Sequence, residues 1–462
     1  MGSSNLDGIR EIFSCVKGVD YADLYMQSGA SHSVMYEDGR MDTLSSSVSD
    51  GVGVRVLKDE CTAYAHAMGT ALSSARAAME EVRDMSGAIM ALPDGGDERL
   101  MERAASLPAL DVGFFHDLDA KLRGECKYLR QVTFRYRTSW KSVLVVRGDG
   151  EAARDDRAYT TFAVSVVLER GGELETGYEA RSFERMPDDF WRACGEDGSG
   201  TAERIARTAL SRGLLMLDAL PCPAGVMTVL MDGTAGGTMI HEACGHGLEA
   251  DIVQKDFSAF RDKIGHEVAA PIVTIVDDAT LPGMYGSYLC DDEGTPAGRT
   301  VLVENGVLES YMTDILSARR GGLPRTGNGR RESYRHMPLP RMSNTFVVPG
   351  ESEYGEMLEA MGEGILVKKM GGGEVNPTSG DFVFHVSEGY LVRGGKIGSP
   401  VKGAILTGNG PQALWNIAAV GRKLILDPGV CGKSGQGVPV TDGQPALLIK
   451  NLTVGGVDAG NG

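Results

Sequence analysis

The clearest chemical signal in the chain is the string HEACGH at residues 241–246. Zinc peptidases with a His-Glu-x-x-His motif place two imidazoles four residues apart, because that spacing puts both on one face of a helix. Here the spacing is five residues, which on a regular α-helix would separate the two rings by about 140°. A metal site would therefore need a bulge or a helix end between the histidines, and Gly245 and Gly247 could permit either. The alternative is a pair of ordinary histidines at a helix C-terminus, where the helix dipole favours them.

A catalytic zinc site takes three protein ligands and keeps a fourth position open for water. Two residues are candidates for the third ligand. Glu249 lies three residues after His246, whereas Cys431 would come from a glycine-rich loop far along the chain. The residues by themselves leave this choice open. In either case Glu242 is the candidate general base, which would take a proton from a metal-activated water during hydrolysis of a peptide bond.

A stretch rich in arginine, at residues 328–341, is the candidate substrate-binding segment in an otherwise acidic chain. Its side chains could bind the carboxylate of a peptide or polarise its carbonyl. The candidate substrate-binding residues are Arg330, Arg331, Tyr334 and His336. Structural salt bridges to the excess of acidic residues explain the same stretch equally well.

Two further motifs carry weaker hypotheses. The acidic run DDE at residues 291–293 could hold a cation, but a carboxylate-rich surface turn is the simpler interpretation. The string GKS at residues 432–434 is similar to the end of a phosphate-binding loop. That loop needs a glycine at position 427, where this chain has Asp427, so the phosphate-loop interpretation fails.

The elements that must position these residues fall into two parts. Apolar residues at helical spacing predict a helix at 6–18, the Ala-rich composition predicts one at 70–89, and a start signal at Ser199 or Thr201 predicts one at 200–219. A further helix is expected at 115–130. Alternating apolar residues bounded by turn residues predict hairpins over 21–67, and strands follow at 131–147, 159–169 and 174–182. Two prolines and a glycine within residues 221–225 break helix and strand alike and mark a boundary. We therefore predict an α+β fold of two domains. Residues 1–220 form an N-terminal α+β domain with an antiparallel sheet, and residues 221–462 form a mostly β catalytic domain that carries the metal-binding helix.

Composition limits the class of function. The 462 residues carry a net charge of −17, which argues against a nucleic-acid-binding surface because phosphate contacts need clustered Lys and Arg. The 63 glycines are roughly twice the average usage and predict many tight turns. No apolar run is as long as a membrane-spanning helix, the N-terminus lacks a signal-peptide pattern, and the eight cysteines are scattered. We therefore expect a cytoplasmic protein with reduced cysteines and with neither a membrane nor a nucleic acid as partner.

In its motifs the chain resembles the TldD/PmbA family of metalloproteases, and specifically the TldD type. The strings that carry the resemblance are HEACGHGLEAD (241–251), DDEGTP (291–296), TGNGRRESYRHMPLPRMSNT (326–345), GGGEVNPTSGDFVF (371–384), PVKGAILTGNG (400–410) and GVCGKSGQGVPV (429–440). They run in order through nearly all of the C-terminal half, and the N-terminal half matches more loosely.

The resemblance implies a zinc peptidase with a His-Glu-x-x-x-His motif, which would account for the five-residue spacing. It implies His241, His246 and Cys431 as ligands of Zn²⁺ and Glu242 as the catalytic residue. It also implies action on unfolded or flexible peptides, and a dimer formed with a PmbA/TldE-type subunit or with a second copy. The alternative is a non-catalytic regulatory or binding subunit, of the kind labelled a modulator of DNA gyrase, in which the metal is structural.

Overall fold

The computed structural model describes residues 9, 13, 16–92, 99–101, 112–184, 188–191, 199–376 and 378–456. No helix among these residues is long and apolar enough to cross a membrane.

Six long antiparallel strands form one sheet in the first part of the chain, in the order β3-β2-β1-β4-β5-β6. These strands are β1 Tyr21–Glu37, β2 Arg40–Lys58, β3 Cys61–Met68, β4 Leu129–Arg147, β5 Ala152–Arg170 and β6 Glu173–Phe183. Asp38 and Gly39 join β1 to β2 with positive φ, as a two-residue hairpin turn requires. The predicted antiparallel hairpins and strands are confirmed.

Three helices pack on this sheet: α1 Leu72–Ser86, α2 Val112–Glu125 and α3 Thr201–Leu217. The first buries Ala75, Met79 and Val82 in a core shared with β2 and β3, and the other two share an aromatic core that contains Phe115 and Phe162. The helices predicted at 70–89, 115–130 and 200–219 are confirmed within a few residues. The helix predicted at 6–18 lies mostly outside the described residues.

The second part of the chain forms two larger sheets, in the orders β11-β10-β9-β14-β21-β20 and β15-β8-β22-β18-β16-β17-β7, and a small pair, β12 with β13. The strands are β7 Leu220–Pro221, β8 Gly225–Met231, β9 Ile275–Asp278, β10 Arg299–Glu304, β11 Val307–Leu308, β12 Gly329–Arg330, β13 Leu339–Pro340, β14 Asn344–Val347, β15 Gly364–Val375, β16 Asp381–Arg393, β17 Lys396–Lys402, β18 Ile405–Asn409, β19 Ile417–Val420, β20 Ile425–Lys433, β21 Gln436–Gln444 and β22 Leu447–Gly455. The predicted mixture of helices and strands is confirmed. The division into two domains at residue 220 stays a prediction.

A broken helical segment shares one hydrophobic core with residues of both larger sheets. It consists of α4 Thr238–Ile240, a π-helical turn His241–Gly245, a 3-10 turn His246–Leu248 and α5 Ala250–Gln254. Met239, Cys244 and Leu248 are fully buried in this core, which also contains Val367 of β15 and Val440 of β21. Among the described residues, the second part of the chain also contains a 3-10 turn, Gly233–Ala235, and the helices α6 Ile315–Gly321, α7 Tyr354–Met361 and α8 Gly410–Trp415. The core thus holds the HEACGH string against the strands that face it.

A layer of buried ion pairs joins the first sheet to the second part of the chain. Arg55 of β2 lies 2.6 Å from both Asp23 and Glu293. Arg157 of β5 lies 2.9 Å from Asp292, and all of these side chains are almost fully buried. Because Asp292 and Glu293 come from the second part of the chain and their arginines from the first sheet, these pairs fix the position of the acidic run on the sheet.

The acidic run at residues 291–293 is therefore not the surface turn that the sequence favours. Asp291, Asp292 and Glu293 are at most 1% exposed. The Asp291 carboxylate accepts hydrogen bonds from the backbone amides of Thr295 and Gly329, and arginines from the first sheet contact the other two carboxylates. Asp292 stays ionised beside Arg157, whereas burial raises the pKa of Asp291 to about 7 and that of Glu293 to about 8, so part of the run is buried as neutral carboxyl groups.

Candidate metal centre

The two histidines of the HEACGH string lie side by side because the helix between them is a π turn. The amide of His246 donates to the carbonyl of His241, five residues earlier, which brings the two positions to one side of the turn. The imidazole centroids are 4.9 Å apart. This is the bulge that the five-residue spacing requires.

Gly245 contributes close packing rather than an unusual backbone conformation. Its φ of −51° is helical, so any residue could adopt it. A Cβ atom at this position would overlap the Sδ atom of Met342, which is fully buried. The absence of a side chain therefore lets the π turn approach Met342 closely.

Cys431 reaches the histidines from β20. Its Sγ atom lies 3.4 Å from Nε2 of His246, and one donor atom from each of His241, His246 and Cys431 lies within 4.8 Å of the others. In the hairpin of β20 and β21, Cys431 is paired with Val438, and both side chains are buried. The three residues implied as zinc ligands are thus close together in the folded chain.

Each histidine is oriented by a carboxylate on its other ring nitrogen. Nδ1 of His241 lies 2.7 Å from Oδ1 of Asp442, and Nδ1 of His246 lies 3.0 Å from Oε2 of Glu249. A carboxylate at Nδ1 fixes the orientation of the ring and keeps Nε2 available for a metal, as is usual for metal-binding histidines. Glu249, the alternative third ligand, thus contacts the far side of His246.

Two buried cations hold the hairpin against the helical segment. Lys433 donates to Glu249 at 3.0 Å and to Asp251 at 2.5 Å. Arg341, which is fully buried, donates to the carbonyl of Cys431 at 2.5 Å. Lys433, from the string that is similar to a phosphate loop, therefore serves to place Cys431 beside the histidines.

The electrostatics of the site favour a thiolate. Burial alone would raise the pKa of Cys431, but hydrogen bonds and positive charge from His241 and His246 lower it to about 5. Burial also opposes protonation of His246, yet Glu249 and Cys431 raise its pKa to about 9. For Glu249, burial works against ionisation, and the charges of Lys433 and His246 lower its pKa to about 2. In the metal-free protein the negative groups are thus balanced by protons on the imidazoles.

The donor set and spacing fit a zinc ion. Imidazole nitrogens and thiolates are both ligands of zinc, and three protein ligands leave a fourth position open in a tetrahedral site. With the usual Zn–S and Zn–N distances, sulfur and nitrogen in a tetrahedral site are separated by about 3.5 Å. The 3.4 Å between Cys431 and His246 agrees with that separation. A cation bound by these three residues would take over the charge balance from the imidazole protons.

Glu242 lies beside the three donors with its carboxylate uncommitted. Its side chain is partly exposed and makes no hydrogen bond to any other residue that the structure describes. Burial raises its pKa, and the nearby imidazoles lower it in part. A carboxylate in this position is free to exchange a proton with a molecule that enters the site.

The candidate substrate-binding residues are mostly engaged inside the protein. Arg330 and Arg331 are 2% and 1% exposed. The first donates to the carbonyl of Met342 at 2.6 Å, and the second lies over the ring of Tyr25 and donates to the carbonyl of Asp292. Tyr334 is 2% exposed. These contacts favour the structural explanation of the arginines over a direct contact with substrate.

His336, the fourth candidate, is partly exposed and its Nδ1 lies 3.0 Å from the hydroxyl of Ser333. Its role in substrate binding stays a prediction.

The sequence interpretation missed Asp442, and it did not foresee that Arg341 and Lys433 hold Cys431 in place. Asp442 is 201 residues from the histidine that it contacts, and Arg341 is 90 residues from Cys431. No local spacing relates such residues, so the only signal in the sequence is their position within the strings that carry the resemblance or directly after them.

Models of the PmbA/TldA metallopeptidases match the chain in three consecutive blocks. The domain 1 model matches residues 22–86, the central-domain model matches residues 104–213, and the C-terminal-domain model matches residues 224–456. The C-terminal match contains the complete candidate site.

Named proteins are similar to this chain over nearly its full length. The chain is 38% identical over 455 residues to a metalloprotease TldD homolog from Haemophilus influenzae, with 96% of this chain and 94% of that protein covered. It is 34% identical over 459 residues to a TldD homolog from Buchnera aphidicola subsp. Acyrthosiphon pisum, with the same coverage. The crystal structure of TldE from Thermococcus kodakarensis has the same fold, with a TM-score of 0.74 at 16% identity over 98% of this chain and 99% of that one. The names of the relatives support a metal-dependent peptidase.

Proposed function

The chain belongs to the PmbA/TldD family of metallopeptidases, and from that premise we propose that it is a zinc-dependent peptidase acting on unfolded or flexible polypeptides. In this proposal His241, His246 and Cys431 hold the zinc ion, and Glu242 is the general base. The observation that carries the proposal is the π turn that brings both imidazoles to the Cys431 thiol.

The chain's own residues provide positioning and proton transfer. A zinc ion in this site would polarise the scissile carbonyl and increase the acidity of water. Asp442 and Glu249 hold the imidazole rings in the orientation that presents Nε2 to the site. Glu242 accepts the proton of the attacking water at its carboxylate and then donates it to the leaving amine, so no covalent intermediate with the protein is needed.

The edge of a sheet supports extended polypeptides as substrates. β20, which carries Cys431, is the last strand of its sheet among the described residues, so its outer edge has backbone groups without a neighbouring strand. An extended peptide can pair with such an edge through main-chain hydrogen bonds that depend little on sequence. In a folded protein most backbone groups are already paired within its own helices and sheets, so a flexible segment is the better substrate.

A partner chain of the PmbA/TldE type is part of the proposal. The support is structural: TldE from Thermococcus kodakarensis matches this chain along almost its whole length. Activity assays should therefore be run with the chain alone and together with such a partner.

The test of the proposed base is Glu242→Gln, which keeps the shape of the side chain and removes its charge. We expect this variant to bind zinc as the parent does and to lose roughly 100-fold to 10,000-fold in peptide cleavage, the usual contribution of a general base. Zinc content by elemental analysis and cleavage of an unfolded polypeptide are the two measurements. Glu309→Gln, at an exposed position, is the matched control and should behave as the parent.

The alternative function, a binding or regulatory subunit with a structural metal, makes the opposite prediction. It requires that the parent and Glu242→Gln both bind zinc and that neither cleaves the polypeptide, with or without a partner chain. Cleavage that persists unchanged in Glu242→Gln would instead show that another group is the base.

A further inference from the structure

A polar pocket of about 330 Å³ lies between the first sheet and the hairpin of β20 and β21. Its floor is one face of the first sheet, because the pairing register aligns the lining residues. Ser139 of β4 is opposite Ser31 of β1 and Tyr159 of β5, and Lys141 of β4 is opposite Gly29 of β1. Residues two apart on a strand share a face, so Arg137, Ser139 and Lys141 all belong to this floor.

Two cations, Arg137 and Lys141, line the pocket, and the charge of Asp292 acts on Lys141 without an ion pair between the two. Neither Arg137 nor Lys141 makes an ion pair or a side-chain hydrogen bond with another residue within the described ranges, although both line the pocket. The lining carboxylate, Glu332, accepts a hydrogen bond from the amide of Gly437 at 2.7 Å. In a chain with a net charge of −17, two unpaired cations in one pocket indicate a site for an anion.

Lys141 lies among charges of both signs. Burial lowers the pKa of Lys141 to about 8, with Asp292 raising it and Arg157 and Arg330 lowering it. The nearby carboxylate of Asp292 is occupied by Arg157 at 2.9 Å. An anion that entered the pocket would therefore meet an ammonium group that makes no ion pair of its own within the described residues.

The pocket adjoins the strand that carries the candidate metal ligand. Val430, which is 68% exposed, lines the pocket and immediately precedes Cys431. Adjacent side chains of a strand point to opposite faces, so the pocket and the thiol lie on the two faces of β20. A peptide extended along the free edge of β20 alternates its side chains in the same way and can reach both faces at once.

We propose that this pocket binds a carboxylate of the peptide substrate, with Lys141 as its counter-ion and Arg137 as a second cation. This inference rests on the proposed function and adds a specificity determinant to it. The hydroxyl of Tyr159, which forms no hydrogen bond within the described ranges, is available to donate to the same anion. The carboxylate comes either from an acidic side chain or from the C-terminus of the peptide.

Peptide binding to the full-length, zinc-loaded Glu242→Gln protein tests the site without cleavage. The probes are one flexible peptide with Gln at every polar position, its variants with Glu at one position at a time, and each of these with a free or an amidated C-terminus. We expect a carboxylate at one position to tighten binding by about tenfold or more, as a charge-assisted hydrogen bond does. Comparison of the Glu-containing peptides with the peptides that have a free C-terminus shows whether the bound carboxylate belongs to a side chain or to the C-terminus.

Substitution of Lys141 links that preference to the pocket. Lys141→Gln should abolish the preference for the carboxylate while neutral peptides bind as before, and Lys141→Arg should retain it. Arg135→Gln is the matched control, because Arg135 lies on the same face of β4 but does not line the pocket. The midpoint of thermal unfolding shows whether each variant is folded. If Lys141→Gln does not fold, Tyr159→Phe is a second, milder test of the pocket.

Two outcomes would overturn the inference: equal binding of all peptides by the parent, or an unchanged preference in Lys141→Gln. Cleavage of peptides without any preference would remove the subsite and leave the proposed function intact. If binding depends on the carboxylate but the parent protein cleaves no peptide, the subsite stands and the proposed function is wrong.

Discussion

At the scale of single residues, the candidate site is defined by which nitrogen of each histidine is already occupied. Asp442 and Glu249 take Nδ1 of the two rings at 2.7 and 3.0 Å, so Nε2 of His246 faces the thiol of Cys431 at 3.4 Å. Such outer carboxylates fix the ring orientation and increase the basicity of the ligand. Metal affinity should therefore depend both on the three donors and on the carboxylates behind them.

Cys431→Ser tests the donor from β20. Loss of the thiolate should weaken zinc binding by roughly 100-fold or more, since loss of an outer-shell partner alone costs 10-fold to 100-fold. Competition with a chelator of known affinity measures this change. Cys244→Ser is the control, because the Cys244 thiol donates to the carbonyl of Ile240 and is not among the three donors. Equal zinc affinity of Cys431→Ser and the parent would assign the third position to another residue.

Asp442→Asn tests the orientation of His241. The substitution keeps an acceptor of the same size but removes the charge, so we expect zinc affinity to fall by about 10-fold to 100-fold. The same chelator competition applies, and circular dichroism should show an unchanged fold. An affinity equal to that of the parent would mean that the carboxylate does not support the ring.

At the scale of elements, the five-residue spacing of the two histidines is explained by the local type of helix. The π turn His241–Gly245 aligns residues five apart, and the absence of a side chain at Gly245 lets it pack on Met342. On the opposite side, Lys433 and Arg341 anchor the hairpin of β20 and β21. Two elements that are distant in sequence are thereby held with their donor atoms within 4.8 Å of one another.

Gly245→Ala tests this close packing. The added methyl group would overlap Met342, so we expect a loss of about 1–3 kcal/mol in the free energy of unfolding and weaker zinc binding. Chemical denaturation and chelator competition measure the two effects. Gly355→Ala is the matched control, because a methyl group there has open space in α7. A second substitution, Met342→Val, should recover part of the loss if the overlap is the cause.

At the scale of the whole molecule, the first sheet and the second part of the chain are joined through buried charges. Asp292 is ion-paired with Arg157 and accepts a hydrogen bond from the amide of Arg331, and the same layer borders the pocket that contains Lys141. Breaking one partner of a buried pair is costly because it leaves an uncompensated charge. The layer should therefore make stability depend on pH.

Asp292 provides the measurable case. Burial raises its pKa, but Arg157 and Lys141 more than compensate and lower the pKa to about 2 from the usual 3.8. A depressed pKa means that the ionised carboxylate stabilises the fold at a pH above its unfolded value, and that this contribution is lost as the pH falls towards 2. The difference in unfolding free energy between the parent and Asp292→Asn should thus shrink by about 2 kcal/mol between pH 6 and pH 2.

Asp84→Asn, at an exposed position, is the control and should show almost no difference at any pH. A gap between the parent and Asp292→Asn that stays constant across this range would show that the Asp292 carboxylate is not held ionised by its neighbours.

The sequence by itself determined the features that depend on local order. Alternating apolar residues predict hairpins in the first sheet, Ala-rich composition predicts α1, helix-start signals predict α3, and the five-residue spacing of His241 and His246 means that a shared metal would need a distortion between them. These features arise from residues within a few positions of one another, and so their pattern can be read directly.

Only the tertiary structure decided which distant residues meet. It placed Asp442 on His241, set Lys433 and Arg341 against the helical segment, and buried the acidic run at residues 291–293 that composition would leave at the surface. The physical reason is that burial of a charge is tolerated wherever an opposite charge arrives, and the partner here comes from a segment more than a hundred residues away, as Arg157 does for Asp292. No periodicity in the sequence indicates such a contact between distant residues.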